Sequence, residues 1–478
     1  MTMPRILAAM MLLPAALVAQ APSKFPSPPA SPPNPKLSVP TMRSNKLPNG
    51  IELRLVEQHE LPLVQVTVTV PGGSRLDAQT SGIATFTAGM LDEGAGTRDA
   101  LGLQSELAFL GASLTTTADW DRIIVGLKVP VRNLSAALAI MGDVVMRPTF
   151  RSDDVRKQRD LRLTALLQQR DQPNALANLA FNQAVFPAAH PYSRSALGDS
   201  VSVAAYDSTL VRRFYEGTVR PERATIYVVG DVTEAQVRTL LTQQFGAWRA
   251  SGSAIPLPAA PTPATAPATT RVWLVDKPDA AQSVILIGWP GVERTSPDFA
   301  ALQVMNTLLG GSFTSRLNMN LRESKGYSYG ASSGFTYRVV PGPFTASSSV
   351  RTNVTDSSLI EIFKELRGVR DVPVPQDELD RAKSNVELGI PGSLESTSQV
   401  ANQMASLATY GLTLDELPKL AARVRAVTAA DVQRVARQYL TPDRAHVVVV
   451  GDLSKVKAPI EALSLGTATT LDVAKLVK

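Results

Sequence analysis

Few side chains in this 478-residue chain combine the type and the spacing that chemistry requires. The three histidines, His59, His190 and His446, lie more than a hundred residues apart, so no two can meet a metal from one helix face. Cysteine is absent, which removes thiolate metal sites, thiol nucleophiles and disulfides together. Serine and aspartate are plentiful, yet no strand-to-helix nucleophile turn is recognised. Asp92 and Glu93 are adjacent, and neighbours at i,i+1 do not share a helix face, so they are a poor substitute for a ligand pair. They follow a stretch, GIATFTAGMLDEGAGT at 82–97, in which a short helix is framed by Gly-hydrophobe-Ala before it and a Gly-Thr exit after it. On that helix Thr85 and Gly89 are four apart, the spacing at which two side chains project from one face. Neither is a metal ligand, and Ala88 between them has no titratable atom.

The elements that position these residues show a duplicated plan. RPERATIYVVGDVT at 220–233 is echoed by TPDRAHVVVVGDLS at 441–454, and VQVTVTVPGG at 64–73 by SVILIGWPGV at 283–292. The offsets, 221 and 219 residues, agree closely and imply tandem domains rather than a solenoid. Val64, Val66, Val68 and Val70 alternate with Gln65, Thr67 and Thr69, the period of a strand with one buried face. Helices are predicted over Val131–Met146, Asp153–Gln169 and Thr233–Phe245, the last with a Thr-x-x-Gln capping box. Ser296-Pro297 reads as N-cap and first residue of a helix through Leu309. Strands and helices mix without strict alternation, which predicts α+β: two homologous tandem domains, each an antiparallel sheet with helices packed on it.

Composition sets the outer bounds. With 44% hydrophobic and 19% charged residues the chain has the make-up of a globular protein. A net charge of +6, without a basic run interleaved with aromatics, argues against a nucleic-acid partner. Residues 1–20 carry Arg5 and then an apolar run from Ile6 to Val18, the pattern of a secretory signal peptide. That run is short of the roughly 20 apolar residues of a membrane span, so an exported chain, periplasmic or secreted, with no span in its mature form is expected. The remaining segments read as a Pro-rich linker (21–44), a first domain (45–250), a Pro/Ala/Thr linker (251–270), a second domain (271–460) and a C-terminal tail (461–478).

The frame at 82–97 resembles the active-site helix of the pitrilysin and insulinase-type zinc peptidases, which carry His-x-x-Glu-His there. In that register Thr85 and Gly89 stand at the two His positions and Ala88 at the Glu. The family's third ligand, a Glu on a helix roughly 80 residues after the first, has no counterpart, because DDVRKQRDLRLTALLQQRDQP at 153–173 contains no Glu. GGSFTSRLNMNLRESKGYSYGASSGF at 310–335 resembles the same family's segment Gly-Gly-x-x-x-Ser-Arg-Leu, Leu-Arg-Glu, Gly-hydrophobe-x-Tyr. There an Arg and a Tyr reach across the cavity to the zinc-bound substrate, and the matching residues are Arg322 and Tyr329. Tyr327 fills a position usually held by an aliphatic residue. The bland alternative is a helix-end Arg322 paired with Glu323 and a Tyr329 ring packed on its sheet.

The resemblance implies a zinc-less subunit of a heterodimeric metallopeptidase. Such a chain would hold no cofactor and show no zinc peptidase activity alone. It would bind unfolded peptide and lend Arg322 and Tyr329 to the zinc site of a homologous partner bearing His-x-x-Glu-His. A peptidase-derived binding or assembly protein with no role in hydrolysis is the alternative.

Overall fold

A computed structural model describes residues 37–478, apart from 79, 260 and 478. The expected signal peptide and most of the first linker lie outside the described residues. Two six-stranded sheets form the body. In the first, the strands run Arg43–Lys46, Glu52–Glu57, Thr225–Gly230, Leu63–Pro71, Arg122–Pro130, Ser113–Ala118 across the sheet. The second runs Thr467–Leu471, Arg271–Asp276, His446–Gly451, Gln282–Pro290, Pro343–Arg351, Ser328–Phe335. Five of the six strands correspond one to one, so the repeat read from two motifs extends to the whole sheet. Most ladders are antiparallel, as expected, with one parallel pair in the first sheet and two in the second.

The sixth strand has a different origin in each half, and both origins correct the predicted boundaries. In the first sheet it is Arg43–Lys46, which begins inside the segment read as linker. In the second it is Thr467–Leu471, inside the segment read as a tail. That segment then turns into the helix Val473–Leu476 and buries Leu476 and Val477. Val477 O accepts from Arg170 of the first half at 3.3 Å. Among the described residues of 251–270 there is no helix or strand.

The halves exchange helices. Pro173–Val185, encoded in the first half, packs on the second sheet, where Leu176, Ala177 and Phe181 share one core with Val284, Leu286, Val448 and Val450. Gly288 makes room for it, since a Cβ there would lie 2.7 Å from the Phe181 ring. Reciprocally, Thr397–Thr409 of the second half packs on strands Leu63–Pro71 and Thr225–Gly230 of the first. The strand with alternating valines is therefore buried on both faces, contrary to its pattern: Gln65, Thr67 and Thr69 are covered too. Gln65 accepts a hydrogen bond from Ser398 at 2.9 Å, which offsets the cost of burying its amide. Among the described residues, no helix is long and apolar enough to cross a membrane.

Local predictions fared unevenly. The capping box at Thr233 and Gln236 is present, and the helix Glu234–Phe245 follows it. Val131 to Asn133 form a 3-10 turn before Leu134–Met146. Ser296 caps nothing helical. It accepts from Asp298 N at 3.2 Å in a preceding turn, and the α-helix is Phe299–Asn306. Its continuation, Thr307–Gly311, is π-helical, and Gly310 within it lies so close to Ser333 that a Cβ would come within 2.4 Å of Ser333 N.

Candidate functional site

The helix that frames the first site is Ile83–Gly89. Asp77 starts it, its two carboxylate oxygens accepting from Gly82 N and Ala84 N, each at 2.9 Å. Gly82 has φ +85, and a Cβ there would sit 2.5 Å from Gly198 N, so only glycine fits. Burial raises the Asp77 carboxyl to about 7, against the lowering effect of those N–H groups and of Arg194 and Arg162. The frame is thus built and capped, but its functional positions carry no metal donor set. Ala88 is wholly buried. Gly89 is exposed, and a Cβ there would meet nothing within 4 Å.

Thr85 has been absorbed into a polar brace. Its hydroxyl lies 3.1 Å from Gly82 O and 2.5 Å from Ala196 O. It also accepts from Arg162 Nη1 at 3.0 Å, and the same nitrogen donates to Leu197 O at 3.2 Å. The Arg162 guanidinium lies 5.6 Å from the Phe86 ring centroid. Arg162 stands on Ser152–Gln169, the helix searched above for a third acidic ligand. A permanent cation therefore contacts Thr85, the first position at which the resemblance puts a metal ligand. Sequence reading missed it by asking only what was absent from that helix; the signal was an Arg 77 residues after Thr85.

The other candidates resolve into structural roles. Asp92 accepts from Thr116 at 3.0 Å and Glu93 from Gln158 at 2.6 Å. His59 pairs with Asp231 at 2.7 Å. His190 Nδ1 accepts from Tyr192 N at 3.1 Å, and the ring stacks on Phe186. His446 Nδ1 accepts from Trp273 Nε1 at 3.2 Å, and burial, with Arg271 nearby, lowers its pKa to about 4. Among the described residues, no three His, Asp or Glu side chains are grouped to hold a metal. One Gly-x-Ser-x-Gly spacing, Gly330 to Gly334, escapes the sequence reading. Its Ser332 lies in the middle of a strand and 3.2 Å from Ser347 Oγ, so it has neither the strand-to-helix turn nor the base that a nucleophile needs.

The second segment is arranged differently. Arg322 lies in a π-helical turn, Met319–Ser324, and Tyr329 on the strand Ser328–Phe335 at the sheet edge. Asn318 ties the two together, donating to Phe313 O at 2.7 Å and accepting from Ala331 N at 3.2 Å. Tyr327 N donates to Leu321 O at 2.8 Å, and the Tyr327 side chain is half-buried. The edge strand carries a bulge: pairing passes from Ser328 with Val350 to Ala331 with Ser348, leaving Tyr329 and Gly330 opposite one residue. Ser348 Oγ holds the bulge, 2.8 Å from Ser328 Oγ and 2.9 Å from Gly330 O.

The Tyr329 ring consequently leaves the sheet and is 89% exposed, against the alternative that it packs there. Arg322 does pair with Glu323, at 3.1 Å, and its guanidinium lies 4.7 Å from the Phe313 ring centroid, itself 62% exposed. No hydrogen bond or ion pair among the described residues joins Arg322 or Tyr329 to the first half. The structure holds the two residues on one braced segment, with no hydrogen bond or ion pair to the helix Ile83–Gly89 among the described residues.

Comparison with known proteins agrees with this duplicated architecture. The model described as "Insulinase (Peptidase family M16)" matches residues 54–197, and that described as "Peptidase M16 inactive domain" matches 207–386. The chain belongs to the insulinase-type M16 peptidase family, as a member whose metal positions carry no ligand. An uncharacterised zinc protease of Mycobacterium leprae is 27% identical over 86% of this chain and 92% of its own. A probable mitochondrial-processing peptidase subunit beta of Arabidopsis thaliana is 23% identical over 87% of this chain and 80% of its own. Among solved structures, a peptidase M16 inactive domain from Pseudomonas fluorescens has a TM-score of 0.79 at 25% identity, covering 86% of this chain and 98% of that one.

Proposed function

We propose that this chain is the non-catalytic partner in a two-chain zinc peptidase, binding unfolded peptide and presenting Arg322 and Tyr329 to the metal site of a homologous chain that carries His-x-x-Glu-His. The observation that carries this reading is the exposure of Tyr329 on a bulge maintained by Ser328 and Ser348, while every ligand position of the chain's own helix has lost its donor. Zinc in the partner would supply the activated water. This chain's phenol O–H and guanidinium would donate to the negative charge that develops on the scissile carbonyl and to the peptide backbone, a placement in which preorganised donors are most effective. Exposed strand edges offer an extended peptide main-chain hydrogen bonds. Residues 1–20 support an exported location, periplasmic or secreted.

The test is to isolate the tagged chain from its own cell and identify its stoichiometric companion by mass spectrometry. A homologous chain with His-x-x-Glu-His is the expected result. A chain that comes out alone, or with a companion lacking that motif, contradicts the reading and favours a binding protein without hydrolysis.

A further inference from the structure

We propose that the disarmed position on the helix Ile83–Gly89 is a carboxylate-binding site, in which Arg162 takes an anionic group of a bound peptide. The proposal rests on the peptide-binding reading above and adds the chemistry of one contact.

Arg162 is half-buried and lacks an acid. Its Nη1 is used by Thr85 and Leu197 O, while Nε and Nη2 have no acceptor among the described residues. No carboxylate forms an ion pair with it among those residues. Two other arginines do hold acids, Arg316 with two bonds to Glu378 at 2.8 and 2.7 Å and Arg370 with both Asp371 and Asp443, whereas Arg294 and Arg338, which also have no ion pair among the described residues, lie over the aromatic rings of Phe299 and of Trp120 and Tyr192. Drawing a guanidinium from water without a counter-ion is unfavourable, and burial lowers the pKa of Arg162 accordingly. The acid whose field reaches it is Asp77, whose oxygens are taken by Gly82 N and Ala84 N. Its carboxyl, raised to about 7, is only partly ionised near neutral pH. Arg194 adds a second cation acting on the same carboxyl. The neighbourhood is thus short of negative charge.

It also has room. Thr85 and Gly89 share one helix face, and a side chain at position 89 would meet nothing within 4 Å. The open position on that face is 89, one turn from Thr85, where Arg162 makes its contact. A guanidinium with two unused donors recognises a carboxylate in a planar, two-point geometry. Both a peptide's C-terminal carboxylate and an Asp or Glu side chain present that group.

The experiment measures fluorescence anisotropy on the full chain with three labelled versions of one unfolded, acid-free peptide. One ends in a free carboxylate, one in an amide, and one in an amide with a single internal Glu. At least one carboxylate-bearing peptide is expected to bind about tenfold more tightly than the neutral amide, and which one gains identifies the source. Arg162→Gln should erase the difference while leaving the neutral peptide's affinity in place, and Arg162→Lys should restore part of it. Equal binding of all three peptides by the unmodified chain overturns the carboxylate site and leaves peptide binding standing, whether or not the variants fold. Failure of all three to bind overturns both.

Discussion

The helix at Ile83–Gly89 and the segment from Met319 to Phe335 belong to halves whose sheets share five corresponding strands, yet they are finished in opposite ways. In the first, the polar group that remains has been turned inward: Thr85 is tied to Ala196 O and Arg162, and Ala88 is core. In the second, polar bracing by Asn318, Ser328 and Ser348 is used to hold a tyrosine out of the fold. Side chains that face inward can be explained by packing. A ring left 89% in water gains almost nothing from burial, so packing does not account for the position of Tyr329.

The contrast is laid over a shared sheet plan whose halves exchange helices, and breaking the structure should therefore affect both halves. Phe181 crosses from the first half into the second core, and Phe181→Ala should cost about 3–5 kcal/mol, with both halves melting in one transition on chemical denaturation. A loss confined to one of two separated transitions would show that the exchanged helices do not bind the halves into a unit.

The next largest effect concerns the exposed segment. In the assembled pair, Arg322→Ala or Tyr329→Phe should lower kcat about 100-fold, the scale for removing one preorganised donor. The melting of the chain should hardly move, because exposed substitutions lie within about 0.5 kcal/mol. Unchanged turnover in both variants would reduce the second segment to surface and dissolve the comparison.

A smaller effect, on the inward-turned site, is a pH dependence. Folded Asp77 keeps its proton up to about pH 7, whereas the unfolded chain releases it near 3.8. Between those values the folded state binds more protons, so this group's stabilisation is complete at low pH and is lost as pH rises through 7, by at most about 1.4 kcal/mol per pH unit. Asp77→Asn should flatten that part of the stability profile, read from urea midpoints between pH 5 and 8. The smallest effect is at Gly89, where open space and a helical backbone predict that Gly89→Ala stabilises by about 0.4–1 kcal/mol in thermal melts and leaves turnover alone.

Much of this was legible in local sequence, and what was not shares a physical cause. Proline-to-glycine strand ends repeat with their spacing, so the duplication and the helix frame could be read directly, and Thr233 announced its helix through chemistry three residues away. Gln65, Thr67 and Thr69 misled because their polarity suits a solvent face. They lie instead under Thr397–Thr409, a helix more than three hundred residues later whose Ser398 supplies the missing hydrogen bond. The strand Thr467–Leu471 escaped notice because short polar segments carry no period until a sheet edge receives them. Arg162 was hidden for a related reason: its meaning lies in what it faces, and Thr85 is distant in the chain. Tyr329 could be named from its motif, but its exposure depends on a bulge that periodicity does not reveal.

The most direct test measures zinc content and peptide turnover on this chain, on the proposed His-x-x-Glu-His companion and on the pair. A split site predicts no stoichiometric zinc and no hydrolysis for this chain, zinc but little turnover for the companion, and a pair that holds one zinc and cleaves about 100-fold faster than the companion alone. A companion fully active by itself, or stoichiometric zinc on this chain, would contradict it.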